Sequence, residues 1–219
     1  MVPSLCRTSK RRFGDGRTPL VRRRAWVMQS RDGGFEFSTP MFVNEACGGA
    51  TAGFSLSALA VDASRTASKD RLYFGCNQAR PSSVVIGASA DRGRSWTAVS
   101  DVAATRDTLL RRKIMAMTVD AQGTLGVVWL ESGHNPAGAC ADDVYFGVSV
   151  DGGQTFLPPA RVATAPSCGD KALNGQAWAG DYFGLVADGK GQFRLLWSGV
   201  RDHLFQLQLS TIVVASSPR

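Results

Sequence analysis

Apolar and polar residues alternate along most of this chain in short runs, the period of half-buried β-strands and not of helices. Ser55–Ala63, Arg71–Cys76, Ser83–Ser89 and a short run near Thr97–Val102 form one such series. A second follows in Lys113–Ala121, Thr124–Ser132, Asp143–Val150 and Ala160–Thr164. The stretch Arg106–Met117 also fits a helical period, but its place before Val119-Asp120 predicts a loop leading into a strand. The last series, Asp181–Gly199 and Phe205–Ala215, supplies three strands, and residues 25–30 and 40–46 supply two more at the start. The pattern predicts an all-β protein over residues 25–215, with residues 1–24 as a separate basic segment.

Self-similarity sharpens this picture, because a period in the tens of residues marks a stacked or radial array. Ser30-Arg-Asp32-Gly-Gly34-Phe-Glu36-Phe37, Ser89-Ala-Asp91-Arg-Gly93-Arg-Ser95-Trp96 and Ser149-Val-Asp151-Gly-Gly153-Gln-Thr155-Phe156 follow one pattern at intervals of about sixty residues. We call these segments boxes. Only Glu36 departs from the pattern, standing where the other two have a hydroxyl. A carboxylate collecting backbone N–H groups, with glycine in a conformation closed to other residues, makes a hairpin turn. The aromatic residue is expected to tuck under that hairpin. Val61-Asp62-Ala63, Val119-Asp120-Ala121 and Ala187-Asp188-Gly189 mark a further turn early in each series.

The boxes resemble the Asp box of the sialidase-type, or BNR-repeat, β-propellers. The resemblance implies four-stranded antiparallel blades, about three of them here. It also gives the box residues Ser30, Asp32, Gly34, Phe37, Ser89, Asp91, Gly93, Trp96, Ser149, Asp151, Gly153 and Phe156 a structural role away from the active site. About thirteen strands are read, against at least about sixteen for a closed propeller. The expectation is a partial propeller, the C-terminal part of a larger one, or an arc closed by self-association.

Composition changes less than it first suggests. The net charge of +7 is carried by Arg7, Lys10, Arg11, Arg12, Arg17, Arg22, Arg23 and Arg24 against Asp15, which leaves the remainder of the chain neutral. A neutral body offers no electrostatic case for nucleic acid. The first residues lack the apolar core of a secretory signal, and no run is long enough for a membrane-spanning helix. Cys6, Cys47, Cys76, Cys140 and Cys168 show no metal-ligand spacing, so neither metal nor cofactor is implied, and pairing among the last four stands beside free thiols. His134 and His203 are isolated and support neither zinc chemistry nor a nucleophilic triad.

Polar residues at the ends of inner strands are where a propeller would meet a ligand. Arg111 and Arg112, Glu131, Asp181 and Tyr182, and Arg201 and Asp202 occupy such places. By resemblance, the chemistry is exo-α-sialidase-like hydrolysis with a tyrosine nucleophile, an assisting glutamate, an aspartate acid and arginines clamping the sugar carboxylate. That implies Tyr182 and Glu131 as catalytic residues and Arg112, Asp181 and Arg201 as sugar-binding ones. The arginine-bearing motif that opens sialidase domains has no match, so a noncatalytic glycan- or protein-binding propeller, or the remnant of a truncated gene, stands as the alternative. An extracytoplasmic location is suggested by the family alone.

Overall fold

Among the described residues, four antiparallel sheets follow one another in sequence order. The computed structural model describes residues 24–44, 57–79, 82–97, 100–103, 110–133, 140–168, 183–201 and 204–214. The expected basic segment lies outside the described residues except for Arg24. Strands β1 (Ala25–Val27) and β2 (Met41–Asn44) form a hairpin. A four-stranded sheet follows, made of β3 (Ala58–Val61), β4 (Leu72–Ala79), β5 (Ser82–Ser89) and β6 (Ser100–Asp101). The next comprises β7 (Arg111–Val119), β8 (Leu125–Ser132), β9 (Cys140–Ser149) and β10 (Ala160–Arg161), with β11 (Ser167–Cys168) also paired to β9. The last contains β12 (Phe183–Ala187), β13 (Gln192–Arg201) and β14 (Leu204–Val213). These are the β-strands that the pattern predicts, in the successive antiparallel sheets that the resemblance implies. They differ from the expectation in the short β11 and in β7, which begins at Arg111, so that Arg111 and Arg112 belong to the strand and do not precede it.

The three boxes close hairpins by one set of bonds. Ser30, Ser89 and Ser149 each donate a hydroxyl hydrogen to the box aspartate at 2.7, 2.8 and 2.8 Å. The same oxygens accept the N–H of Gly34, Gly93 and Gly153. Those glycines have φ of 96°, 83° and 84°, a region that side chains resist. The hydroxyls of Ser95 and Thr155 each add a 2.5 Å bond to their aspartate, which Glu36 cannot supply to Asp32. Asp62, Asp120 and Asp188 do similar local work at the turns after β3, β7 and β12, accepting from Ser64, from Gln122 and Thr124, and from Lys190 and Gln192.

The donors around Asp91, the Ser95 hydroxyl first and then the Ser95 and Ser89 groups, hold its pKa at about 2. The folded value lies below the ordinary carboxylate value, so the ionised group's contribution is fully present above about pH 4 and is lost as pH falls through 2. Asp91→Asn is therefore expected to flatten the loss of thermal stability between about pH 4 and pH 2. An unchanged slope in that window would show that the box carboxylate is not a source of acid sensitivity.

Cores lie between consecutive sheets. Ala25 and Val43 meet Phe74, Cys76 and Val85. Tyr73, Val84, Ile86 and Ala88 meet Met115, Met117, Leu125, Val127 and Trp129. Ile114, Val128, Leu130, Val144, Phe146 and Val148 meet Phe193, Leu195 and Trp197. Trp96 and Phe156 tuck against the core in front of their own sheets, as expected. Phe37 does not, and it is exposed. The core it would join would lie in front of β1–β2, where no described sheet packs. Cys76 is buried and disulfide-bonded, which excludes the free-thiol reading for this residue. The other cysteine side chains lie outside the described residues.

Candidate functional site

The ends of the strands opposite the boxes gather the charged residues of the β7–β10 sheet. The site begins with an irregularity in β7, where the register against β8 shifts between Lys113 and Met115. Ile114, the extra residue, has φ of +37°. Strict alternation counted back from Met117 would place Arg112 on the same face as Ile114 and Ala116. The bulge reverses that parity and puts Arg112 on the face of Met115, Met117 and Trp129, directly across from Glu131.

Arg112 and Glu131 then form a buried ion pair, Nε to Oε2 at 2.5 Å, with side-chain exposures of only 4% and 5%. Arg112 also bonds through Nη1 to the Ser82 carbonyl, and its backbone N–H bonds the Ser82 hydroxyl at 3.1 Å. The pair therefore ties β7 and β8 to β5 of the preceding sheet. Trp129 Nε1 donates to the same Glu131 oxygen at 3.3 Å.

Asp143 stands opposite Glu131 in the β8–β9 register, and two facing carboxylates repel. Each is offset by its own arginine. Arg161 reaches from β10 and donates to Asp143 Oδ1 through Nε and Nη2 at 2.8 and 2.6 Å. The row across this face reads arginine, glutamate, aspartate, arginine. Behind it Tyr145 stacks on Trp129, with centroids 6.1 Å apart and 16° between planes. Burial pushes the Tyr145 phenol up, helped by the charges of Glu131 and Asp143. On the opposite face Lys113 approaches Asp142 at 3.7 Å. Burial raises the Asp142 carboxyl, and Lys113 partly opposes the shift.

Of the residues expected at the site, Arg112 and Glu131 are thus brought into direct contact with each other. Arg201 ends β13, partly buried, and Tyr182 and Asp181 lie outside the described residues, as do His134, Asp202 and His203. Asp143, Tyr145, Arg161 and Ser82 complete the cluster and were not anticipated. Alternation within β9 places Asp143 and Tyr145 on one face, a signal already present in Asp143–Val150. Among the described residues no group of three His, Cys, Asp or Glu could hold a metal ion. No helix of the described residues is long and apolar enough to cross a membrane.

No protein-family model matches the chain, and no curated protein matches it in sequence. Solved structures do resemble it in shape. A protein of unknown function from Dyadobacter fermentans aligns with a TM-score of 0.53 at 16% identity, over 86% of this chain and 51% of its own. A Hadza microbial sialidase aligns with a TM-score of 0.51 at 14% identity, over 71% of this chain and 34% of its own. An α-L-arabinanase of Penicillium chrysogenum, solved with arabinobiose, aligns with a TM-score of 0.51 at 18% identity, over 72% and 45%. The chain spans between a third and about half the length of these structures. At such identities the likeness shows the fold, which is that of the sialidase-like β-propellers.

Proposed function

We propose that this chain is a glycoside-hydrolase-related propeller of the Asp-box repeat kind, and that it engages a carboxylate-bearing glycan, a sialoside first, at the strand ends opposite its boxes. One observation carries the reading: Arg111, Arg112 and Lys113 at the start of β7, Arg161 at the end of β10 and Arg201 at the end of β13 all lie at the boxless strand ends. Arginine suits such a ligand because its planar fork grips a carboxylate with two bonds. In the hydrolytic form of this proposal Tyr182 is the nucleophile, Glu131 assists it, and Arg112, Asp181 and Arg201 contact the sugar. A tyrosine nucleophile avoids the repulsion that a carboxylate would feel from an anionic sugar.

Binding without hydrolysis is favoured over turnover by the state of the central pair. Arg112 and Glu131 already satisfy each other, and neither side chain is open to solvent. Two measurements on the chain separate the readings: cleavage of a fluorogenic sialoside with Tyr182→Phe as control, and titration of a sialylated oligosaccharide against its desialylated form. Turnover that disappears in Tyr182→Phe supports the hydrolytic form. Saturable binding of the sialylated ligand alone, weakened about tenfold by Arg161→Ala as loss of one charge-assisted contact implies, supports binding without turnover. Absence of both activities overturns the proposal.

A further inference from the structure

Sheet order and strand register sort the cysteines into separate groups. Cys76 is disulfide-bonded and shares a core with Ala25, Val43, Phe74 and Val85, on the face of β4 turned to the first hairpin. The opposite face of the same sheet carries Tyr73, Val84 and Ile86 and meets β7–β10. Cys140 and Cys168 both belong to that next sheet, the first opening β9 and the second ending β11. Packed sheets stand about 10 Å apart, and a disulfide spans at most about 7 Å between Cα atoms. The β3–β6 sheet therefore lies between Cys76 and both of these residues, and neither is its partner.

Cys140 and Cys168 instead face each other. In the antiparallel β9–β11 ladder Ser167 pairs with Asp142 and Cys168 with Cys140, with an irregularity between the two pairs that passes over Ala141. Directly facing residues of an antiparallel ladder have Cα atoms about 4.5–5.5 Å apart, within the range that a disulfide needs. The short β11 also links two sheets, because the Ser167 hydroxyl oxygen accepts the N–H of Val200 in β13 at 2.9 Å. Arg201, which ends β13, follows directly. Two ladder pairs hold such a link weakly, whereas a covalent bond fixes it.

We propose that Cys140 and Cys168 form a second disulfide, which fastens β11 to β9 and through β11 steadies the end of β13. The bond arises by thiol–disulfide exchange with a disulfide-bearing oxidant. One cysteine forms a mixed disulfide with the oxidant, and the thiolate of the other displaces it. The oxidant takes up two electrons and two protons and leaves as two thiols. The inference stands independently of any glycan ligand.

The test is a disulfide map of the full chain folded in a glutathione redox buffer, with free thiols blocked at acid pH before tryptic digestion without reductant. Cleavage after Arg161 separates the two cysteines, so the expected product is the Cys140 and Cys168 peptides joined, with no blocking group on either. Cys140→Ser, Cys168→Ser and the double variant are each expected to lower the melting temperature by about 10 °C, because the same loop is opened in all three. Amide exchange at Val200 is expected to rise in each of them, since its acceptor sits on β11. A blocked Cys140 or Cys168 in the unreduced protein overturns the inference, as does a link from either to Cys6, Cys47 or Cys76. Additive losses in the double variant overturn it as well, since one bond is lost only once.

Discussion

Glu131→Gln is expected to destabilise the protein by about 3–5 kcal/mol, because it leaves the Arg112 guanidinium buried beside a neutral amide. The cost comes from the environment of the pair and not from the strength of one bond. Both side chains are almost fully buried, with Arg112 pinned between Glu131 and the Ser82 carbonyl. It therefore cannot swing out to water without breaking the β7 and β5 connection. Trp129 Nε1 also keeps its acceptor only in part. One effect works the other way: removing the Glu131 charge relieves its opposition to Asp143 across the β8–β9 register, which moves the expected value toward the lower end.

The double replacement Arg112→Met with Glu131→Leu distinguishes a buried pair from an incidental one. Exchanging a buried pair for apolar residues of similar volume is often neutral or stabilising, so the double variant is expected to recover most of the loss seen in Glu131→Gln. Chemical denaturation of the three proteins gives the comparison. A loss below about 1 kcal/mol in Glu131→Gln would mean that water reaches the pair, and the case for a rigid polar row at the strand ends would fail.

The boxes were legible because their chemistry is local. Ser89, Asp91, Gly93 and Ser95 bond to one another within a few residues, so residue type and spacing carry the geometry. The turn aspartates Asp62, Asp120 and Asp188 are legible for the same reason. The pairing of Arg112 with Glu131 was not, since both were singled out only as separate residues at strand ends. Their contact depends on the Ile114 bulge, and alternation alone assigns Arg112 to the wrong face. Asp143 and Arg161 escaped notice because their contact joins β9 to a strand of two residues, whose register no local pattern encodes. The Cys76 disulfide belongs with these cases, because connectivity does not follow from cysteine positions. Phe37 shows the limit from the other side: its motif predicts a buried aromatic, yet burial needs a neighbouring sheet that residue spacing cannot provide.

Phe193→Ala is expected to cost about 3–5 kcal/mol, and to loosen the β12–β14 sheet selectively. Phe193 is fully buried at the start of β13, paired to Ala187 and Ile212, and its ring meets Phe146 at 5.2 Å and 56°. Gly126 of β8 makes the space for it. A Cβ built there would lie 2.5 Å from Phe193 Cε1 and 2.9 Å from Phe146 Cζ, closer than side chains approach. The two residues are therefore one fitted contact seen from opposite sheets. Gly126→Ala should cost about 1–3 kcal/mol by overpacking, and the combination of Gly126→Ala with Phe193→Leu should cost less than the sum of the single changes. Because Phe193 belongs to the core between β7–β10 and β12–β14, its loss should raise amide exchange in β12–β14 more than in β3–β6. Uniform exchange across all sheets would instead show that the blades unfold as a single unit, and additive effects at Gly126 and Phe193 would show that the sheets do not meet through this pair.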